Sequence, residues 1–174
     1  VQAIGGNLFD AGGITDWQDE LTQTGVSQNI NFSMSGAANE KFSYFISAGV
    51  EDQEGILINS SLRRYSGRVN LTQKGLNGRL IIDYNFTGSR TENLRPDNED
   101  MIIDMLRLNP TIPVFTNNQP TLLDDILNPV VRNDIYSDEA QNNRLLANIS
   151  PSLEIIKGLT YKLNLGVDYS NTNR

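Results

Sequence analysis

The side chains available for chemistry in this sequence are carboxylates, hydroxyls and lysines. The 174 residues include no cysteine and no histidine, which excludes thiolate metal sites, thiol nucleophiles and imidazole general bases. Carboxylates cluster at Asp97/Glu99/Asp100, at Asp124/Asp125 and at Asp134/Asp138/Glu139. Clusters of this kind can bind calcium or, as a spaced pair, hydrolyse glycosides. None has the spacing of a calcium-binding loop or a signal for a catalytic pair, so we predict no enzyme, no catalytic residue, no metal ligand and no cofactor. Calcium at one of these clusters stays an alternative.

Aromatic side chains in the irregular segments are the better candidates for contact with a substrate. Trp17, Phe115 and Tyr136 could each stack on a sugar ring. Trp17 is the only tryptophan, and a lone tryptophan in a polar loop also commonly covers a small local core. The chain has 14 basic and 21 acidic residues, a net charge of −7. This balance disfavours nucleic acid as a partner.

Six segments that alternate apolar and polar residues must position these side chains. The alternation has a period of two, which is typical of β-strands with two different faces. Each segment is close to the roughly 9–11 residues with which a tilted strand crosses a bilayer. The segments begin near residues 27, 42, 65, 79, 144 and 159. No run approaches 18 apolar residues, so the sequence predicts no transmembrane helix.

The connections between the six segments run short, long, short, very long and short. The very long one, residues 88–141, is predicted to hold a helix from Asp97 to Leu108 and a second helical turn over 121–127. A connection of this length is usually a lid or a binding surface. Short turns alternating with long loops indicate an up-and-down barrel with its turns on the periplasmic side and its loops outside.

The sequence is therefore predicted to be all-β. We expect antiparallel up-and-down strands that form part of a transmembrane β-barrel, with a long loop containing one or two short helices. Residues 1–26 are a lead-in loop, and residues 27–174 are a partial outer-membrane barrel of about six strands that includes the extracellular loop 88–141. The alternative is a self-contained soluble β-domain that binds glycans, because soluble sandwiches and barrels also alternate.

Several strings carry more information than the periodicity does. They are TDWQDE at 15–20, SMSG at 33–36, YFISAG at 44–49, QEGI at 53–56, NS at 59–60, RYSGRVNL at 64–71 and MLRLNPTIPV at 105–114. In this order and spacing they resemble the early barrel of the SusC/RagA family of TonB-dependent outer-membrane transporters. The resemblance spans about residues 15 to 170 and identifies the chain as an internal part of the barrel.

The resemblance implies a fold and partners that the spacing of residues does not reveal. It implies a barrel of about 22 strands around an N-terminal plug in the bacterial outer membrane. A SusD-like surface lipoprotein would cap this barrel, and TonB would contact the N-terminal region that is absent here. It further implies import of oligosaccharides or peptides through a wall in contact with outer-membrane lipid. The matching strings are structural, so no substrate ligand can be transferred from the family to this sequence.

Overall fold

A computed structural model describes residues 10, 12–96, 98–121 and 128–174 of the chain. Its strands are β1 (Ser27–Asn39), β2 (Phe42–Glu54), β3 (Ser61–Gly75), β4 (Leu80–Arg95), β5 (Phe115–Thr116), β6 (Gln119–Pro120), β7 (Asp138–Ile156), β8 (Leu159–Lys162) and β9 (Leu165–Asn173). Its helices are α1 (Trp17–Leu21), α2 (Asn98–Arg107) and α3 (Pro129–Ile135), with a 3-10 turn at Leu76–Gly78. Within these ranges, no helix has the length and apolar content needed to span a membrane.

The long strands form one sheet in which neighbours in sequence are neighbours in space. The order is β1-β2-β3-β4-β7-β8, and β9 also pairs with β7. The pairs β1–β2, β7–β8 and β7–β9 are antiparallel. The all-β, up-and-down prediction is confirmed. The described sheet is open rather than closed into a barrel.

The two faces of the sheet differ as the alternation predicts. Ile30 pairs with Val50 and Met34 with Ile46, and these side chains share one face, which we call the apolar face. Leu145 pairs with Tyr169 in the same way at the other end of the sheet. All six of these side chains are exposed. Residues of the opposite phase, such as Ser33 and its partner Ser47, form the polar face.

The strands are longer than the alternation indicates. β4 continues to Arg95 and β7 begins at Asp138, so the very long connection covers 96–137 rather than 88–141. The strand ends are polar on both faces, which hides them from a periodicity argument. On the apolar face the end of β2 carries Asp52, and Arg63 of β3 donates to this carboxylate from Nη2 at 2.6 Å. The hydrogen bond with Asp52 and the charge of this carboxylate raise the pKa of Arg63 above its ordinary value.

The last predicted strand is two strands, β8 and β9, separated at Leu163-Asn164. Both pair with β7, which contains Pro151. Proline has no amide hydrogen to donate to the sheet, but its carbonyl accepts from the Leu163 amide at 2.9 Å. The tight turn before β8 contains Gly158 at a φ of +87°, a conformation that favours glycine.

The chain divides into two compact units. The first, which we call the loop unit, comprises residues 1–26, 54–61 and 94–139. The second, the sheet unit, comprises residues 27–53, 62–93 and 140–174. The loop unit thus brings together the lead-in before β1 and the two long connections, β2 to β3 and β4 to β7.

Candidate functional site

The loop unit is assembled by pairing the lead-in with the chain that follows α2. Backbone amides of Gly13 and Thr15 donate to the carbonyls of Thr111 and Pro110, each at 2.7 Å. The Thr15 hydroxyl donates to the carbonyl of Ile112, also at 2.7 Å. Two of the strings that carry the family resemblance, TDWQDE and MLRLNPTIPV, are therefore direct neighbours in the fold.

The ring of Trp17 fills the centre of this assembly. Asp16 caps α1 by accepting from the Gln18 and Asp19 amides, so Trp17 is the first residue of the helix. Its side chain is 3% exposed and packs in a core with Leu108 and Val114. The indole N–H donates to the Asn109 carbonyl at 3.3 Å. The tryptophan thus joins two segments that lie about 90 residues apart in sequence.

Asn128 and α3 close the other side of the same core. The Asn128 side chain, which is buried, donates from Nδ2 to the Val114 carbonyl at 2.9 Å and caps α3 by accepting from the Val130 amide. Pro129 occupies the first turn of α3, where proline is well tolerated. Residue periodicity does not predict this helix, although the pair Asn128-Pro129 is a typical helix start.

An ion pair connects α2 to α3. Arg132 of α3 donates from Nη1 to Asp104 of α2 at 2.9 Å, and the same nitrogen lies 3.5 Å from Asp100. Asp104 is 7% exposed, so its charge is neutralised within the unit rather than by water. Burial of a carboxylate is tolerated only with such a partner.

A substitution at Gly13 tests whether the lead-in pairs with the long connection. A Cβ atom on this residue would lie 2.7 Å from the Pro113 nitrogen and 2.8 Å from the Thr111 carbonyl oxygen, which are backbone atoms. We expect Gly13→Ala to destabilise the loop unit by about 1–3 kcal/mol through overpacking. Hydrogen–deuterium exchange at residues 105–116 of the full-length protein would measure the effect. Gly88→Ala is the control, since a Cβ there meets no atom within 4 Å.

The three aromatic candidates for substrate contact all lie in the loop unit, but their environments differ. Phe115 on the β5–β6 hairpin is 54% exposed, and Tyr136 at the end of α3 is 39% exposed. Both offer ring surface to a ligand. Trp17 offers very little, and its burial agrees with the local-core alternative. Contact of these three residues with a substrate stays a prediction.

One shallow cavity of about 330 Å³ lies in the loop unit beside Trp17. One side of its lining consists of residues 15–18. The other side consists of residues of α2 and of the segment after this helix, among them Met105, Leu106 and Leu108. Phe115 and Tyr136 are not part of this lining. The cavity is therefore formed by the same two strings that pair with each other.

The acidic clusters are not assembled into a cation site in the part of the chain that the structure describes. There, no group of three or more carboxylates converges on one point. Asp100 contributes to the ion pair with Arg132. Asp97, Asp124 and Asp125 lie outside the described residues, as does most of the helical turn predicted for 121–127.

The polar face of the sheet carries a network of side-chain hydrogen bonds. Arg144 of β7 makes a two-point contact with Asp168 of β9, at 3.0 and 2.6 Å. Thr72 of β3 donates to Asp83 of β4 at 2.8 Å. Polar groups on this face are thus paired across neighbouring strands.

Comparisons with curated proteins identify two receptors. The chain is 31% identical, over 98% of its length, to TonB-dependent receptor P3 of Formosa agariphila. It is 32% identical, over 61% of its length, to TonB-dependent receptor SusC of Bacteroides thetaiotaomicron. The chain spans 18% and 10% of the lengths of these two receptors. No protein-family model matches the sequence.

Solved structures show the same fold. A structure of the RagAB peptide importer in its closed-closed state matches 97% of this chain with a TM-score of 0.73 and 23% identity. A further RagAB peptide transporter structure matches with a TM-score of 0.74 and 25% identity. The chain covers 20% of the matched chain in each case.

Proposed function

This chain belongs to the SusC/RagA family of TonB-dependent receptors, of which it spans a part, and we propose that it forms barrel wall and external loops of an outer-membrane nutrient importer. The sheet unit would contact lipid with its apolar face and line the lumen with its polar face. The loop unit would contribute to the substrate cavity or to the contact with a SusD-like surface lipoprotein. Import would use energy delivered by TonB, with no catalytic step in this segment.

The exposed apolar face is the observation that carries this proposal. On β2 the apolar phase runs from Phe42 to Val50, nine residues, which fits the roughly 9–11 residues of a membrane-spanning strand. Beyond Val50 the same face carries Asp52 paired with Arg63, as expected where a strand leaves the hydrocarbon region. A soluble domain would cover such a face with a second layer, so the soluble glycan-binding alternative is disfavoured.

The imported molecule and the partner lipoprotein that we propose are inferred from the relatives. The matched structures are of a peptide importer, and oligosaccharides are the other cargo implied by the family resemblance. We propose import of one of these two classes together with a SusD-like lipoprotein. Deleting TonB in the source bacterium should abolish uptake of the imported peptide or oligosaccharide. Removing the lipoprotein should reduce this uptake. Uptake independent of TonB would contradict the proposal.

Adjacent residues of β1 provide a test of which face meets lipid. Met34 lies on the apolar face and Ser33 on the polar face, and both side chains are exposed. We expect Met34→Arg to destabilise the full-length receptor in the membrane by about 2–4 kcal/mol, the effect of an arginine near the bilayer midplane. Ser33→Arg should be tolerated. The measurement is the amount of folded, heat-modifiable receptor in purified outer membranes.

Two outcomes would contradict the assignment of faces. Equal folded amounts of Met34→Arg and Ser33→Arg would show that neither face meets hydrocarbon. A larger loss for Ser33→Arg would reverse the faces.

A further inference from the structure

We propose that the cavity beside Trp17 binds an apolar side chain of a basic peptide, so that the loop unit favours cationic amphipathic peptides as cargo. The inference rests on the proposed import function and specifies the chemistry of what is imported. Three observations carry it: the division of charge between the two units, the carboxylates without a described ion pair on the helix that lines the cavity, and the composition of the cavity itself.

The chain divides its charge very unevenly. The three ranges of the loop unit hold 14 acidic and 3 basic residues, a net charge of −11, and no lysine. The sheet unit holds 7 acidic and 11 basic residues, a net charge of +4. A dense charge of one sign raises the local concentration of ligands of the opposite sign and speeds their association. The loop unit therefore attracts cationic ligands and repels acidic peptides and anionic glycans.

Exposed carboxylates lie on α1, the helix that contributes Trp17 and Gln18 to the lining of the cavity. Asp19 and Glu20 follow the cavity residue Gln18 on α1, and both are exposed. Neither forms an ion pair with any residue that the structure describes. Arg132, by contrast, is already engaged with Asp100 and Asp104. The charges of Asp19 and Glu20 are thus not compensated by an ion pair among the described residues.

The cavity suits an apolar side chain better than a sugar. Its exposed members include Ile14 and Leu106, and its buried members include Trp17 and Leu108. The polar hydrogens of Thr15 and Trp17 already bond to backbone carbonyls. Asp16 Oδ1 accepts from the amides that begin α1. A sugar would therefore meet mainly the Gln18 side chain and the second Asp16 oxygen, with almost no open ring face on Trp17, although both kinds of contact are needed to replace its bonds to water.

The volume of the cavity also favours an apolar side chain as its occupant. About 330 Å³ is at the lower end for sites that bind small molecules. It accommodates one large side chain, such as leucine or phenylalanine, rather than several sugar rings. An apolar side chain in the cavity would bring neighbouring basic residues of the same peptide within range of Asp19 and Glu20.

Four labelled peptides of equal length test the inference on the full-length receptor, purified with any lipoprotein that accompanies it. The first contains alternating lysine and leucine or phenylalanine. In the second and third, glutamine or glutamate replaces lysine, and in the fourth serine replaces the apolar residues. We expect the first peptide to bind about tenfold more tightly than each of the others. Its advantage over the glutamine peptide should shrink as salt rises from about 50 to 500 mM.

Matched variants connect the preference to this cavity. Leu106→Ala should weaken binding of the first peptide about fivefold, because Leu106 lines the cavity and is 63% exposed. Ile103→Ala is the control, since Ile103 is exposed on the same helix but does not line the cavity. Asp19→Asn with Glu20→Gln should reduce the preference for lysine over glutamine about threefold. Neither acidic residue caps a helix.

The outcomes separate this inference from the proposed function. TonB-dependent uptake with equal binding of all four peptides would overturn the inference and leave the import function standing. Tight binding that is unchanged in Leu106→Ala would place the peptide elsewhere and also overturn the inference. A receptor found outside the outer membrane, or active without TonB, would overturn the proposed function.

Discussion

Replacing Trp17 with alanine is expected to open the loop unit while leaving the sheet unit intact. The substitution removes a ring that is 3% exposed and contacts Leu108 and Val114, and it leaves the Asn109 carbonyl without its indole donor. A buried tryptophan truncated to alanine costs about 3–5 kcal/mol. Because each 1.4 kcal/mol is about a tenfold change in an equilibrium, local opening should become at least about a hundredfold more frequent.

Hydrogen–deuterium exchange of the full-length receptor measures this opening. The reporters are peptides that contain Gly13 and Thr15, whose amides donate to the carbonyls of Thr111 and Pro110. Trp17→Phe should show an intermediate effect, since it keeps most of the ring but loses the indole N–H. Unchanged exchange in Trp17→Ala, together with a loss of substrate binding, would show that Trp17 acts as a substrate contact rather than as a core residue.

Replacing Arg132 with alanine is the second large effect that we expect. Asp104 is 7% exposed and has Arg132 as its ion-pair partner. Removing one partner of a buried ion pair typically costs about 3–5 kcal/mol, because the remaining charge stays buried and unpaired. Exchange should accelerate at the amides of Arg132 and Tyr136, which form the backbone hydrogen bonds of α3.

Two further variants sharpen this test. Arg107→Ala is the control, because Arg107 is an exposed arginine at the end of α2. The double variant Arg132→Met with Asp104→Leu should recover most of the lost protection, since it leaves no buried charge. If Arg132→Ala and Arg107→Ala behave alike, the α2–α3 ion pair contributes nothing to the stability of the loop unit.

The sheet could be predicted from the sequence because its two faces carry side chains of different polarity. Alternation over residues 42–50 is a local property, and it located β2 without knowledge of its neighbours. Alternation underestimates the lengths of the strands, because the strands continue through polar ends such as Gln53 and Glu54, where the two faces no longer differ. The helix predicted from Asp97 to Leu108 is confirmed as α2, Asn98–Arg107.

The loop unit was harder to predict because its helices are short and its contacts join residues that are far apart in sequence. Helices α1 and α3 have 5 and 7 residues, too few for a helical period to stand out. Only their caps, Asp16 and Asn128, indicate them. The burial of Trp17 depends on residues about 90 positions away, which no local pattern contains. For the same reason the cavity beside Trp17 could not be found before the fold was known.

The order of strands in the sheet has a consequence for the route by which the chain folds. Because sequence neighbours pair, each hairpin can be added to an edge that already exists, and β1 and β2 need to close only the two residues 40–41. β4 and β7 must instead close residues 96–137, which costs about 3 kcal/mol more in chain entropy. The contacts of Arg132 with Asp104 and of Asn128 with Val114 lie within that connection. If they form early, they shorten the effective loop, so we expect the speed of β4–β7 pairing to depend on residues that belong to neither strand.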